Sequence, residues 1–238
     1  MIKWLCKRSL IWQIDLPYLH PRDTIHLDLG CGVSPKNPLK AGKVLGIDLT
    51  IPSMSVKRNT AQAESFRAHD ITQGLPFESQ AFDSVSAFDF LEHVPRWERA
   101  NQGIVFPFVN LMAEIYRVLK PGGYFLALTP AVPNSSAFTD PTHVNFITID
   151  TASYFCSTGG SIPAGAMYGY VGNFEIIHND WLKGGGPNLN HSLTTKYLST
   201  DSTLLQKICI GLKFSKRILK LHLFKNPSHI YWVFQKQE

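Results

Sequence analysis

The stretch Thr24-Ile25-His26-Leu27-Asp28-Leu29-Gly30-Cys31-Gly32-Val33-Ser34-Pro35 decides how this chain folds. An apolar run closes on an acid and then turns on two glycines one residue apart. Such a run, bounded by a turn, reads as a buried strand. The glycines let the backbone pass close to a ligand and start the next helix. The same spacing excludes two common nucleotide loops. A nicotinamide site carries G-x-G-x-x-G, whose last glycine allows close helix packing, and no third glycine follows here. A phosphate loop ends in Lys-Ser or Lys-Thr, and that pair is absent.

Four more apolar runs lie downstream, at 43–49, 65–71, 82–90 and 124–130. Before the last of them, Gln102 to Lys120 reads as helical in its second half. Leu111, Ile115, Val118 and Leu119 fall on one face, and Pro121-Gly122-Gly123 is the stop. Strand–helix–strand succession implies a parallel sheet with right-handed crossovers. Residues 174–181 and 229–236 read as two final strands, which makes seven.

Composition sets the outer bounds. A chain of 238 residues, 44% hydrophobic and 17% charged, can bury a substantial core. It is expected to form a single domain in four parts. These are an N-terminal helical arm (1–23), a cofactor-binding core (24–130), an acceptor-side insertion (131–170) and a final strand pair with a basic helical insertion (171–238). No apolar stretch approaches the ~20 residues that span a bilayer, and the basic, apolar N-terminus reads as a helix rather than a signal peptide. Cys6, Cys31, Cys156 and Cys209 are widely spaced, which fits a reducing cytosol better than a disulfide framework or structural zinc. The net charge of +5 mildly favours anionic partners. Lys213, Lys216, Arg217 and Lys220 share one side of a helix expected over 204–221. That helix either covers the sheet or meets a membrane surface or RNA phosphates.

Acids punctuate the strand ends. Asp48 follows Asp28 by twenty residues, where a carboxylate can accept both hydroxyls of a ribose. Asp70 closes the third run, where a carboxylate can accept from an adenine amino group. With the glycine turn, these acids describe a nucleoside site without a phosphate clamp; each acid alone could be an ordinary cap or turn residue.

The ordered set LDLGCG, GIDL, HDI, LPFESQAFDSVSAFDFLEHV and LKPGGYFLALTP resembles the class I S-adenosylmethionine-dependent methyltransferases over residues 24 to 130. The resemblance implies an α/β, Rossmann-like sheet of seven strands, the last antiparallel, with helices on both faces. It implies that Asp28, Gly30 and Gly32 form the cofactor turn facing the methionine part. Asp48 would bind the ribose, Asp70 and Ile71 would flank the adenine, and Phe88 would join the cofactor contacts. Ser34 stands where many members carry a further glycine.

The run AFDFLEHV (87–94) adds a second group. If a helix starts near Phe90, then Asp89, Glu92 and His93 point the same way. They would lie past the carboxyl end of a strand, the edge where open α/β sheets bind ligands. FTDPTHVNFIT (138–148) offers His143 on the same edge. This arrangement resembles the metal-dependent methyltransferases acting on the terminal 2′-hydroxyl of small RNAs. At LEHV it is also similar to the ubiquinone-pathway O-methyltransferases. By that resemblance Asp89, Glu92, His93 and His143 would hold a divalent metal. Mn²⁺, Fe²⁺ or Zn²⁺ would suit the donors better than Mg²⁺. Two alternatives stay open: a metal-free pocket with His143 or His93 as catalytic base, and a purely structural role. Aromatic residues from Phe138 to Tyr170 could lid an acceptor or form a small core.

The expectation is a cytoplasmic enzyme that O-methylates a small molecule or saccharide with S-adenosyl-L-methionine. Its rivals are an RNA ribose methyltransferase and a binding module that catalyses nothing.

Overall fold

Every strand expected from the apolar runs forms. In chain order the elements are β1 (Ile25–Leu29), β2 (Lys43–Asp48), β3 (Phe66–Ala68), β4 (Phe82–Phe88), β5 (Glu98–Ala100), β6 (Gly103–Val105), α1 (Pro107–Val118), β7 (Leu119–Pro130), α2 (Ser136–Thr139), β8 (Phe174–Trp181) and β9 (His229–Lys236). The computed structural model describes residues 23–50, 66–101, 103–157, 159, 161–182 and 227–237. All but Pro227 fall in one compact unit made from 18–182 and 228–238. Of the N-terminal arm expected over 1–23, all but Asp23 lies outside the described residues, as does the basic helix expected over 204–221.

Seven strands make one sheet in the order β3-β2-β1-β4-β7-β9-β8. Strands β1, β2, β3, β4 and β7 run parallel, and β9 runs antiparallel between β7 and β8. The last strand is therefore the antiparallel one, as expected. Central strands covered on both faces need continuous apolar sequence. Leu27, Leu29, Val85, Ala87, Phe125, Ala127, Trp232 and Phe234 are all buried. On α1, Phe108, Leu111, Met112, Ile115 and Val118 form the buried stripe. Pro107 suits the first helical position, where its missing N–H is not needed.

Three local expectations change. No helix follows the glycine turn; residues 30–42 make turns and bends. Pro35 and Pro38 remove N–H donors where a helix would require them. Nor does a helix start at Phe90. Leu91–His93 form a single 3₁₀ turn, and Val94 is extended ahead of Pro95, the conformation a following proline favours. The helix α1 passes directly into β7 at Leu119, so Pro121-Gly122-Gly123 lies within that strand rather than after a loop. The antiparallel pair β5–β6 was not foreseen, and Trp97 beside it is 64% exposed rather than in the core.

A buried polar chain ties β1 to β4. The Ser86 hydroxyl donates to Asp28 Oδ1 at 2.5 Å, and the Lys36 N–H donates to Oδ2 at 2.7 Å. Ser86 has one proton and spends it on the carboxylate. Its oxygen must therefore accept from His26 Nε2–H at 2.9 Å. His26 Nδ1 then accepts from the Ser84 hydroxyl at 2.7 Å. Burial lowers the His26 pKa to about 3, so the ring stays neutral. Burial raises Asp28 to about 6, opposed by the Lys36 and Ser86 donors. The two groups affect stability with opposite sign. Neutral His26 contributes fully above pH 6.5 and loses its contribution as pH falls toward 3, whereas the raised Asp28 carboxyl favours the fold as pH falls through 6. The stability difference between wild type and His26→Gln should shrink by about 2 kcal/mol from pH 7 to pH 5, at ~1.4 kcal/mol per pH unit. Denaturant unfolding at the two pH values measures this. A constant difference would mean the imidazole titrates alike in both states.

Candidate functional site

Two cavities open at the carboxyl edge of the parallel strands. The first is a crevice of about 210 Å³ bordered by Gly30, Asp48, Asp70, Ile71, Phe90 and His93, among others. Gly30 and Gly32 take φ of +61° and +57°, the left-handed region that glycine enters without a Cβ penalty. A Cβ on Gly30 would stand 2.6 Å from Phe90 Cγ, whereas one on Gly32 would meet nothing within 4 Å. The turn is therefore closed at Gly30 by an aromatic ring and open at Gly32.

The strand-end acids divide their tasks. Asp28 is wholly buried beneath the turn and does not line the crevice; it shapes the loop rather than facing a ligand. Asp48 does line it. Its Oδ2 accepts from Gly32 N–H and its Oδ1 from Leu49 N–H, both at 2.8 Å. These bonds fix the carboxylate and leave each oxygen a further lone pair. Asp70 caps the 3₁₀ turn Ile71–Gln73. Its Oδ1 accepts from the Thr72 N–H and hydroxyl, and these two donors hold its carboxyl below the usual range. Phe88 is buried within the sheet, with Lys36 Nζ 5.8 Å from its ring centre. The aromatic residue that borders the crevice is Phe90.

The second cavity, about 570 Å³, is bordered by Asp89, Glu92, His93, Asp140, His143 and His229, among others. Backbone hydrogen bonds bring the distant segments together. Glu92 O accepts from the N–H groups of Val144 and Asn145, each at 2.9 Å. Asn145 Nδ2 donates to Leu91 O, and Arg96 Nε donates to Asn145 Oδ1. His143 is thereby clipped against His93, with ring centres 4.9 Å apart. Ligand atoms of Glu92, His93 and His143 lie within 4.8 Å of one another. Glu92 is buried, and its Oε2 accepts from the Thr129 hydroxyl at 3.0 Å. Burial, reinforced by the Asp89 charge, raises its carboxyl pKa.

Hydrogen bonding settles both imidazole tautomers. His143 Nδ1 lies 3.1 Å from Ala137 O, a pure acceptor, so Nδ1 carries the proton. The Thr142 hydroxyl gives its proton to Asp140 Oδ1 at 2.6 Å, which helps hold that carboxyl below its usual range. His93 Nδ1, 3.1 Å from the Thr142 oxygen, must then donate. In the neutral form of each ring Nε2 therefore holds the lone pair.

Asp89 does not join the three-residue cluster. It adopts φ +52°, and its Oδ1 lies 3.2 Å from His229 Nε2. That distance supports charge attraction, but the angle makes no hydrogen bond, and Oδ1 is buried without a hydrogen-bond partner. His229 Nδ1 in turn lies 2.7 Å from the Ser228 hydroxyl. The sequence reading missed His229. Its only signal was a histidine at the start of an expected last strand; β9 must insert beside β7, pairing His229 with Pro130, before it reaches Asp89.

Residues 27–127 match the family described as "Methyltransferase domain". Over 129 residues the chain is 32% identical to the demethylmenaquinone methyltransferase of Symbiobacterium thermophilum, covering 50% of this chain and 47% of that protein. Over 172 residues it is 27% identical to the sterol 24-C-methyltransferase of Pneumocystis carinii, covering 66% of this chain and 41% of that protein. The chain thus spans under half the length of these two relatives. A Bacillus halodurans C-125 protein assigned as a methyltransferase shares the fold, with a TM-score of 0.50 and 17% identity over 91% of this chain and 94% of that one. Residues 27–127 are thus similar to a methyltransferase domain, and the seven-stranded sheet has the class I methyltransferase fold.

Proposed function

We propose that this chain transfers a methyl group from S-adenosylmethionine to a hydroxyl of a small molecule or saccharide. One observation carries the reading: His93 borders both cavities. A donor in the crevice and an acceptor among Asp89, His143 and His229 therefore meet at that residue.

The residues present fit the donor. Asp48 keeps lone pairs for ribose hydroxyls, Asp70 Oδ2 is free to accept from an adenine amino group, and Ile71 offers an apolar flank. The crevice volume is below the ~300–1,000 Å³ typical of whole-ligand sites. It suits the nucleoside, with the open side at Gly32 left for the remainder. When bound, this donor supplies a methyl already activated by positive sulfur.

The chain's own residues must orient the acceptor and remove its proton, because a neutral hydroxyl is a poor nucleophile. His93 and His143 both present an unprotonated Nε2 in or beside the acceptor cavity, and either can serve as base. His229, 3.2 Å from Asp89, offers a third imidazole. A positioned general base contributes ~10²–10⁴-fold.

A metal-assisted form is favoured by a separate observation, the clustering of Glu92, His93 and His143. Each imidazole has its Nδ1–H on an oxygen, the outer-shell arrangement that orients metal-ligating histidines. Nitrogen and oxygen donors together suit Mn²⁺, Fe²⁺ or Zn²⁺. Such an ion would lower the pKa of a bound hydroxyl. The RNA-ribose alternative shares this cluster by resemblance but also needs an RNA-binding surface, for which the 204–221 stretch lies outside the described residues, so the small-molecule reading is preferred. Among the described residues no helix is long and apolar enough to cross a membrane, and the free thiols of Cys31 and Cys156 are compatible with a reducing compartment.

Calorimetry with S-adenosylhomocysteine should show saturable binding. Asp48→Ala should weaken it roughly 10- to 100-fold, the value of one charge-assisted hydrogen bond; absence of binding to the wild type would sink the donor assignment. Methyl-labelled S-adenosylmethionine, offered with phenols, sugars and quinols, should place label on oxygen. Label on carbon would instead align the chain with its relative named for 24-C methylation, and binding without transfer would leave a non-catalytic module. Dialysed protein exposed to Mn²⁺ should retain about one equivalent, and Glu92→Gln should lose it; metal analysis showing none in the wild type would leave proton removal to the imidazoles alone.

A further inference from the structure

Phe90 occupies a place that the donor reading leaves unexplained. It is only partly buried, it packs against the hydrophobic core, and it also borders the nucleoside crevice. Its Cγ and Cβ would lie 2.6 and 3.0 Å from a Cβ on Gly30, with Cδ2 closer still. The ring therefore sits directly on the glycine turn. Nothing larger than glycine fits beneath it, and the φ of +61° at Gly30 independently demands the same residue.

The order of groups along the crevice gives the ring a chemical task. Asp48 and Asp70 stand at the nucleoside end. His93 stands where the crevice meets the acceptor cavity. Between adenosine and acceptor the donor carries a full positive charge on sulfur. Among the described residues the carboxylates bordering the crevice are Asp48 and Asp70, which the nucleoside engages. Glu92 is turned onto Thr129. Asp89 lies beside His229 and borders the other cavity. Asp48 is fixed by the N–H groups of Gly32 and Leu49. The face left to meet a cation is aromatic. A ring quadrupole attracts a desolvated cation held against it more strongly than it attracts a neutral thioether, whose contact with the ring is weaker but not zero.

We infer that Phe90 reads the charge on the donor, holding the sulfonium of S-adenosylmethionine in preference to the neutral S-adenosylhomocysteine left after transfer. This rests on the donor assignment above and deepens it. The ring then acts as a specificity-determining residue. It favours loading of the charged donor, and the charge-dependent part of its attraction is lost when the methyl leaves with the charge, which favours product exchange.

Binding alone tests the inference, without an identified acceptor. Dissociation constants for S-adenosylmethionine and S-adenosylhomocysteine are measured by calorimetry on wild type, Phe90→Leu, Phe90→Met and Phe90→Tyr, with thermal unfolding as the check on folding. Leucine and methionine keep apolar bulk but have no ring, and either suffices if the other fails to fold. The preference for the charged ligand should fall by about three- to tenfold in Phe90→Leu and Phe90→Met, and stay near wild type in Phe90→Tyr. Equal weakening of both ligands in the leucine or methionine variant would overturn the inference and reduce Phe90 to a wall of the crevice. Failure of the wild type to bind either ligand is a different result, because it removes the donor assignment itself.

Discussion

The glycine turn has no helix behind it, so its shape depends on a buried carboxylate. Asp28 accepts from Lys36 N–H on one oxygen and from Ser86 on the other. The first bond pins the chain after the turn; the second pins β1 to β4. A buried acid is costly unless hydrogen-bonded, and here the donors that satisfy it are the ones that fix the loop. His26, forced neutral by burial, completes the chain toward Ser84. With the turn set in this way, Gly30 lies under Phe90 and Gly32 faces outward with its N–H on Asp48.

From that turn the two cavities follow. Strand ends of β1 and β2 supply the crevice, and the end of β4 supplies Asp89, with Glu92 and His93 in the short turn beyond it. The 143–146 segment is held to that turn by Glu92 O and Asn145. His93 faces both sides because the 3₁₀ turn places it between the two openings. The carboxylates remain apart in function. Asp28 builds the loop, Asp48 and Asp70 face the crevice, Glu92 lies inside the acceptor wall, and Asp89 pairs with His229.

The tautomers of His93 and His143 illustrate how a network decides chemistry that composition cannot. Neither ring differs from any other histidine in sequence. Ala137 O and the Thr142–Asp140 pair consume both Nδ1 protons and leave two basic nitrogens near one buried acid. Proton removal and metal ligation both draw on that same electron density.

Much of this was legible in residue order. Apolar runs bounded by turn residues located all seven strands of the main sheet, because strand burial and turn chemistry are local properties. The Gly30, Asp48 and Asp70 succession located the crevice, because parallel strands bring their carboxyl ends to one edge. What sequence could not decide was which face each side chain takes and which distant segments meet. Phe88 was expected at the cofactor, but it is buried at the end of β4, and Phe90, past the left-handed Asp89, is the ring on the glycine turn. Asp89 was expected beside Glu92, but the helix that would have aligned them is cut short by Pro95. His229 joins the site only because β9 inserts antiparallel beside β7. That pairing follows from burial of Trp232 and Phe234 in the assembled core, and no spacing within the chain encodes it.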